Sequence, residues 1–577
     1  MRLGILYKIY LLGFLLLAIR LFWMQVIRAE YYKDQSARNR IRLIELPAPR
    51  GTLYDRNGEI MVEDRVRYDL ALIPQEAEDR EEIFKVISQQ LNVPVDSLRQ
   101  DYRKNYRAPF APVSLVPNIS KEQALGFEEK LFRLPGLLVE TRPTRYYHNG
   151  RAIAHVAGYL GEIGAEELKR LKPYGYKVRD LVGRTGLEKS FDLQLRGENG
   201  GTQVEVDHRG RMVRVLGHRS PKRGKDLRLT LDASLQEKAS SLLAGRRGAV
   251  VAIDPETGEI LAMTSYPAFD PNAFLDSKRR REVKEWLQQQ DSPFLNRALG
   301  AYTPGSIFKI VTASAALQKG KINPQTSFEC DGFLRMGNYS FSCWNEEGHG
   351  PENLSQGLAH SCNVYFFHLG LLMGPEPIVE ECHRWGLGRG TEIELAGEAP
   401  GLVPNRRWKW QIFHQPWYDG DTLNFAIGQG YLLMTPLQAA RMISAVANGG
   451  KLVKPYLVKQ VGAIETLRPT SSTIGGRGVL QYAPTLDAVT EGLRRTIDDP
   501  TGTGQMALSS QVSIAGKTGT AETPDGVAHA WFVGFAPVEN PKIAFAVFLE
   551  HGGGGGYAAA PIARQLVEYF IKDEKKL

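Results

Sequence analysis

"AYTPGSIFKI", residues 301–310, is the stretch on which the reading of this chain turns. It supports two readings of Ser306. Serine is a favoured helix N-cap, and Gly-Ser ahead of an apolar run is an ordinary helix start. Alternatively, Ser306 is a nucleophile whose base is Lys309, because residues at i and i+3 share a helix face and meet in space. A serine hydroxyl attacks poorly until a base takes its proton, and a lysine amine can do so only when neutral. Burial and a second cation nearby both lower a lysine pKa towards that state. Ser-x-x-Lys alone is a weak signal, since a chain this long holds about one by chance. The rest of the sequence has to decide.

The second cation is on offer in "SIAGKTGTAET" (513–523), which puts Lys517 in a strand, followed by Thr518, Gly519 and Thr520. Between the two stretches lies "SCNVYFF" (361–367), with Ser361 and Asn363. Ser-x-x-Lys, Ser-x-Asn and Lys-Thr-Gly, in that order, resemble the motif set of the penicillin-binding protein and serine β-lactamase superfamily. The resemblance implies that Ser306 attacks a carbonyl and carries the acyl group, with Lys309 as its base. It implies that Ser361 relays a proton towards the leaving amine and that Asn363 orients Lys309 and the substrate amide. Lys517, Thr518 and Thr520 would hold the substrate's carboxylate, and Gly519 would let a peptide backbone lie against the strand. Backbone N–H groups of Ser306 and Thr520 would form the oxyanion hole.

A free β-lactamase needs neither a membrane anchor nor about two hundred residues ahead of its catalytic domain. "RGTLYDRNGE" (50–59) and "GRTGLEKSFDLQLRGENG" (183–200) resemble signatures of the class B penicillin-binding proteins, though each could be scaffold alone. "GDTLNFAIGQGYLLMTPLQAA" (420–440) and "HAWFVGFAPVENPKIAFAVFLEHGGGGG" (529–556) resemble the elongation-type members. That branch implies a peptidoglycan D,D-transpeptidase for side-wall growth, inhibited by β-lactams. It acylates itself with a pentapeptide stem, releases the terminal D-alanine and passes the acyl group to an amine on another stem. The implied partner is a SEDS-family glycosyltransferase of the RodA type, met through the anchor and an N-terminal pedestal, with other elongation proteins beside it. A division-type class B transpeptidase, a β-lactam-sensing receptor and an allosteric subunit of the polymerase are the alternatives. The intact motifs weigh against the last, and the few residues before the anchor weigh against the receptor.

Composition fits this frame. Of 577 residues, 43% are hydrophobic and 24% charged, which excludes a disordered chain and calls for several domains. The net charge of +8 raises the question of nucleic acid, and its location answers it. Residues 1–42 hold eight Lys and Arg against Glu30 and Asp34, flanking the apolar run Ile5–Ile27. Attraction to anionic lipid is the simpler reading, with no nucleic acid. As a helix that run spans roughly 34 Å, enough to cross a bilayer. Trp23, Tyr31 and Tyr32 read as an interfacial belt, and Arg20 should face a partner helix or the far interface. A cleaved signal peptide is the runner-up, but no small-x-small site follows. More Lys and Arg follow the span than precede it, against a cytoplasmic N-terminus, although long domains translocate largely regardless of flanking charge. The expected placement is a bacterial cytoplasmic membrane, single-pass, with the catalytic domain outside the cytoplasm.

The expected organisation is a tail and anchor (1–28), a mixed pedestal (29–220) and a transpeptidase domain (221–577). There is no internal repeat. Tyr68–Pro74 alternates like a strand, and Asp79–Leu91 has helical spacing. "GHRSPKRGKD" (217–226) reads as a linker. Beyond it, Asp232 caps a helix through Leu243, and two strands surround a turn at Asp254–Gly258. Ser513–Glu522, His529–Pro537 and Lys542–Glu550 read as strands, with a helix from Ala559 to Lys572. Helices bracketed by strands from both ends of this region give an α+β domain, an antiparallel sheet with helices packed on it.

The four cysteines admit two readings. Outside the cytoplasm, Cys330 and Cys343 could form a disulfide stapling "CDGFLRMGNYSFSC". Yet Cys330, Cys343 and Cys362 fall within 33 residues together with His349, a structural zinc set at wide spacing. Some elongation-type relatives carry zinc in this region. The expectation is therefore a closed tetrahedral Zn²⁺ at Cys330, Cys343, His349 and Cys362, with Cys382 a buried free thiol and no cofactor needed for the chemistry.

Overall fold

The computed structural model describes residues 2–207, 211–465 and 483–574. The chain forms two compact units, one of residues 1–51, 64–145 and 196–224, the other of residues 52–63, 146–195 and 225–577.

The N-terminal unit begins with helix α1 (Arg2–Phe22), which runs into a π-helical turn, Trp23–Ile27. Gly4–Ile27 is long and apolar enough to cross a bilayer, the only such helix among the described residues. Arg20 and Arg28 both place their guanidinium over the Trp23 ring, at 4.6 and 4.5 Å. Arg20 thus stacks on Trp23, a residue of the expected aromatic belt. Strands β1 (Ile41–Leu46), β2 (Ile60–Leu72), β3 (Val113–Ile119) and β4 (Leu137–Tyr147) follow, then β5 (Gly200–Val206) and β6 (Met212–Arg219). β5 pairs with both β1 and β6 in an antiparallel sheet. A separate core joins Leu70 and Leu72 to Ile83, Phe84 and Ile87 of the helix Arg80–Leu91. The Asp79 carboxylate caps that helix, accepting from the Glu81 and Glu82 N–H groups. The expected linker begins inside β6, whose pairing with β5 runs on through Gly217 and His218 to Arg219.

The C-terminal unit is built on strands β7 (Gly248–Ile253), β8 (Ile260–Tyr266), β9 (Ala515–Ala521), β10 (His529–Ala536) and β11 (Ile543–Leu549). They form one antiparallel sheet in the order β8-β7-β11-β10-β9. β7 and β11 are buried along their whole length, which is why they read as unbroken apolar runs. One face packs against helix α2 (Ala233–Leu242) and the C-terminal helix α8 (Ala560–Glu574). The other packs against α6 (Pro436–Ala447) and α7 (Ala483–Asp498), with α3 (Lys309–Gln318), α4 (Leu354–Ala359) and α5 (Asn363–Met373) in the same apolar core. The expected α+β class is the observed one, with helices on both faces and β9 at the sheet edge.

Candidate active site

Ser306 is not a helix cap. It lies in a 3₁₀ turn, Gly305–Phe308, that runs directly into α3, and the cap positions belong to Pro304 and Phe308. The turn is pressed against β9. Gly305 adopts φ +58°, and a Cβ there would lie 2.5 Å from the Thr520 carbonyl oxygen, so only glycine fits. Its N–H donates to the Gly428 carbonyl at 2.9 Å. The serine is thereby held beside the strand that carries the third motif.

Lys309 opens α3 with 0% exposure. Its Nζ donates to the Ser361 carbonyl at 2.7 Å and to Asn363 Oδ1 at 2.8 Å, with Ser361 Oγ at 3.3 Å. Burial lowers its pKa to about 8, partly opposed by the Cys362 and Cys343 thiols. A neutral amine has two hydrogens and one lone pair. The two short contacts account for the hydrogens and leave the lone pair free to accept a proton.

Ser361 and Asn363 come from the corner between α4 and α5. Ser361 is in the left-handed region, φ +54°, which throws its carbonyl towards Lys309. Cys362 caps α5, its Sγ accepting from the Tyr365 N–H at 3.4 Å. Asn363 bridges: Oδ1 meets Lys309 while Nδ2 donates to the Ser342 carbonyl at 3.3 Å.

On β9, Lys517 is also fully buried, its Nζ donating to the Thr518 carbonyl at 3.2 Å. Burial first, and the Lys309 charge second, push its pKa well down. Burial is the leading cause at both lysines, and repulsion between the two cations adds to it at Lys517. Gly519 is closely enclosed where a side chain would start. A Cβ there would lie 2.9 Å from the Pro304 carbonyl oxygen and 3.0 Å from Ile307 Cγ2 and Trp531 Cβ. The glycine thus makes room for the nucleophile turn and the next strand. Thr518 is 6% exposed, while Thr520 is exposed and its Oγ1 accepts from the Gly555 N–H at 3.4 Å.

The hairpin Phe333–Met336 and Tyr339–Ser342 leads into Cys343. All four cysteines are free and buried, so no disulfide staples this hairpin. Cys330, Cys343, His349 and Cys362 bring their ligand atoms within 4.8 Å of one another. His349 Nδ1 faces Cys330 Sγ at 3.5 Å and Cys343 Sγ at 3.6 Å. A hydrogen bond from Cys362 pulls the Cys343 thiol below its usual value. Its Sγ also accepts from the Asn363 N–H at 3.4 Å, which ties the cluster to the second motif. Cys382 lies apart, its thiol pushed up by burial.

The chain matches the family model described as the penicillin binding protein transpeptidase domain over residues 248–568, and that of the penicillin-binding protein dimerisation domain over 45–229. It is 33% identical to the peptidoglycan D,D-transpeptidase MrdA of Acinetobacter baumannii, covering 97% of this chain and 86% of the relative. The chain belongs to the penicillin-binding protein family of peptidoglycan D,D-transpeptidases, in its elongation-type branch. Among solved structures it resembles a Helicobacter pylori penicillin-binding protein 2 in complex with MreC, at TM-score 0.80 and 28% identity over 92% of this chain and 99% of that one. It also resembles a chain from a structure of a peptidoglycan synthase complex that coordinates polymerisation and crosslinking, at TM-score 0.74 and 31% identity over 98% of this chain and 97% of that one. As a penicillin-binding protein, the chain is a serine-type D,D-transpeptidase whose long apolar N-terminal helix serves as its membrane anchor.

Two residues of the transpeptidase site were not legible in the motifs. Gln429 directs Nε2 towards the Thr520 carbonyl at 3.5 Å, and Thr503 Oγ1 lies 2.7 Å from Thr518 Oγ1. Both sit in glycine-flanked turns, whose sequence signals a bend and says nothing of what the bend brings together.

Proposed function

We propose that this transpeptidase works through an acyl-enzyme on Ser306. The observation that carries the reading is the buried Lys309 amine, bonded at once to the Ser361 carbonyl and to Asn363 Oδ1. With both hydrogens engaged there, its lone pair takes the Ser306 proton as Oγ attacks the penultimate D-alanine carbonyl of a stem peptide. The oxyanion falls to the Ser306 and Thr520 N–H groups, and Lys517, Thr518 and Thr520 hold the terminal carboxylate. Ser361 Oγ, 3.3 Å from Lys309 Nζ, passes the proton on to the departing D-alanine amine. An amine from a second stem then attacks the acyl-enzyme, forming the cross-link and freeing Ser306. β-Lactams acylate the same serine. Fluorescent penicillin labelling of wild type beside Ser306→Ala is the test: a variant that still labels defeats the reading.

The Cys330, Cys343, His349 and Cys362 set is proposed to hold a structural Zn²⁺. Four donors of the right chemistry within 4.8 Å fit that ion. It would brace the hairpin against Asn363 and supply no step of the chemistry. The boundary near residue 220 is proposed as the start of the catalytic domain, since from residue 225 onward the chain stays in the second unit. The remaining assignments are the outer face of the cytoplasmic membrane and a RodA-type SEDS glycosyltransferase as partner. The apolar helix and the likeness to a chain from a synthase complex support them. Co-purification with and without residues 1–215 tests the pairing, and equal recovery would defeat it.

A further inference from the structure

Resting on the reading of Thr518 as a donor to the substrate's terminal carboxylate, we propose that Thr503 is a positioning residue that sets the direction of the Thr518 hydroxyl. Thr503 belongs to none of the three motifs. It lies in "PTGTG" (500–504), the turn after α7. Its N–H donates to the Ala359 carbonyl at 3.1 Å, and its Oγ1 reaches that same oxygen at 3.2 Å. Ala359 ends α4, two residues before Ser361. From this foothold Thr503 Oγ1 makes its shortest contact, 2.7 Å, with Thr518 Oγ1.

A hydroxyl has one hydrogen to give and two lone pairs to receive. When Thr503 gives its hydrogen to Ala359, the 2.7 Å contact must be donated by Thr518. Thr518 then turns only lone pairs outward, and these repel a carboxylate. For Thr518 to donate to the substrate, Thr503 must become the donor across the short contact and leave the Ala359 carbonyl. That carbonyl keeps the Thr503 N–H, so the rotation orphans no acceptor. The result is a one-way chain, Thr503 to Thr518 to carboxylate, in which each hydrogen bond polarises the next and the last is charge-assisted. The same residue holds the corner of the second motif and orients the hydroxyl of the third.

The test compares acylation of the purified full-length chain by a penicillin bearing its free carboxylate and by the methyl ester of that penicillin. Thr503→Val keeps the shape but cannot donate. It should slow the free acid by about tenfold, the scale of one hydrogen bond to a charged group, and move the ester by no more than about twofold. Thr503→Ser should restore the selectivity. Equal slowing of acid and ester by Thr503→Val would mean a merely structural residue and would overturn the inference, as would no slowing or a failure of Thr503→Ser to rescue. Thr518→Val separates the two levels. If it leaves the acid-to-ester ratio unchanged, the carboxylate reading itself falls and takes Thr503 with it. A changed ratio in Thr518→Val with none in Thr503→Val overturns the role of Thr503 alone.

Discussion

Asn363 Oδ1 accepts from Lys309 Nζ at 2.8 Å while its N–H donates to Cys343 Sγ at 3.4 Å. One residue therefore touches both the base of the reaction and the thiol cluster. The position of the base depends on an asparagine that is itself held from outside the catalytic motifs, by Ser342 and Cys343. Removal of any member of this line should reach Ser306 chemistry, the more weakly the farther that member lies from the lysine.

The steepest loss is expected at the base. Lys309→Ala should lower the penicillin acylation rate by about 10³-fold or more, within the range a positioned general base supplies. Asn363→Ala leaves the amine in place but frees it to rotate, and a loss of roughly 10–100-fold is expected. Stopped-flow or gel labelling at several drug concentrations measures both. A Lys309→Ala protein that acylates within a few-fold of wild type would assign the base elsewhere.

The acylation rate should also depend on pH in a definite direction. Lys309 must be neutral to accept a proton, and burial has brought its pKa to about 8. Below that value most of the protein carries the ammonium form, so the rate should rise with pH and level off above about 8. Measured with a carboxylate-free ester, the profile excludes any contribution from Lys517 meeting a carboxylate. A flat profile between pH 6 and pH 9 would contradict the assignment, taking about one decade of rate per pH unit as the expected slope on the acidic side.

The motifs were legible because each pairs a reactive residue type with a spacing that one helix turn or one strand imposes. Ser306 with Lys309, and Lys517 with Thr518, needed only local geometry. The strands of the catalytic sheet were legible too, since β7 and β11 are buried on both faces and read as unbroken apolar runs. What the sequence could not supply was contact between distant turns. Thr503 reaches Thr518 across 15 residues, and Gln429 reaches Thr520 across 91. The neighbours of Gly519 were hidden for the same reason: that Pro304 and Ile307 press on it is a fact of tertiary packing. The linker expected at Gly217–Asp226 hid the end of β6, because its glycine and charges outweighed the alternating valines before it.

Gly519 now carries a prediction of its own. A methyl group there would sit 2.9 Å from the Pro304 carbonyl oxygen, closer than packing allows, and the contact is backbone. The nucleophile turn would have to move. Gly519→Ala should fold, since its strand pairing with Trp531 is unaffected in register, yet acylate about 10²-fold more slowly, the cost of a displacement near 1 Å at the reacting atoms. A melting temperature close to wild type with this loss of rate is the expected pair of readings. Unchanged acylation would mean the strand, not the serine, gives way.

The cysteine cluster offers the test of metal removal. Metal analysis of the purified protein should find one zinc per chain, and thiol counting after chelation should recover four free cysteines. Cys343→Ser removes one ligand of the set and the acceptor of the Asn363 N–H together. It should lose the zinc and melt lower by roughly 5 °C or more, for a loss of about 3 kcal/mol. It should also slow acylation, because Asn363 then holds Lys309 with one support fewer. Cys382→Ser makes the control: that thiol is buried away from the cluster, so zinc content should stay at wild type whatever happens to stability. Zinc-free protein with a full rate of acylation would show that the hairpin and Asn363 hold their places through the protein's own hydrogen bonds.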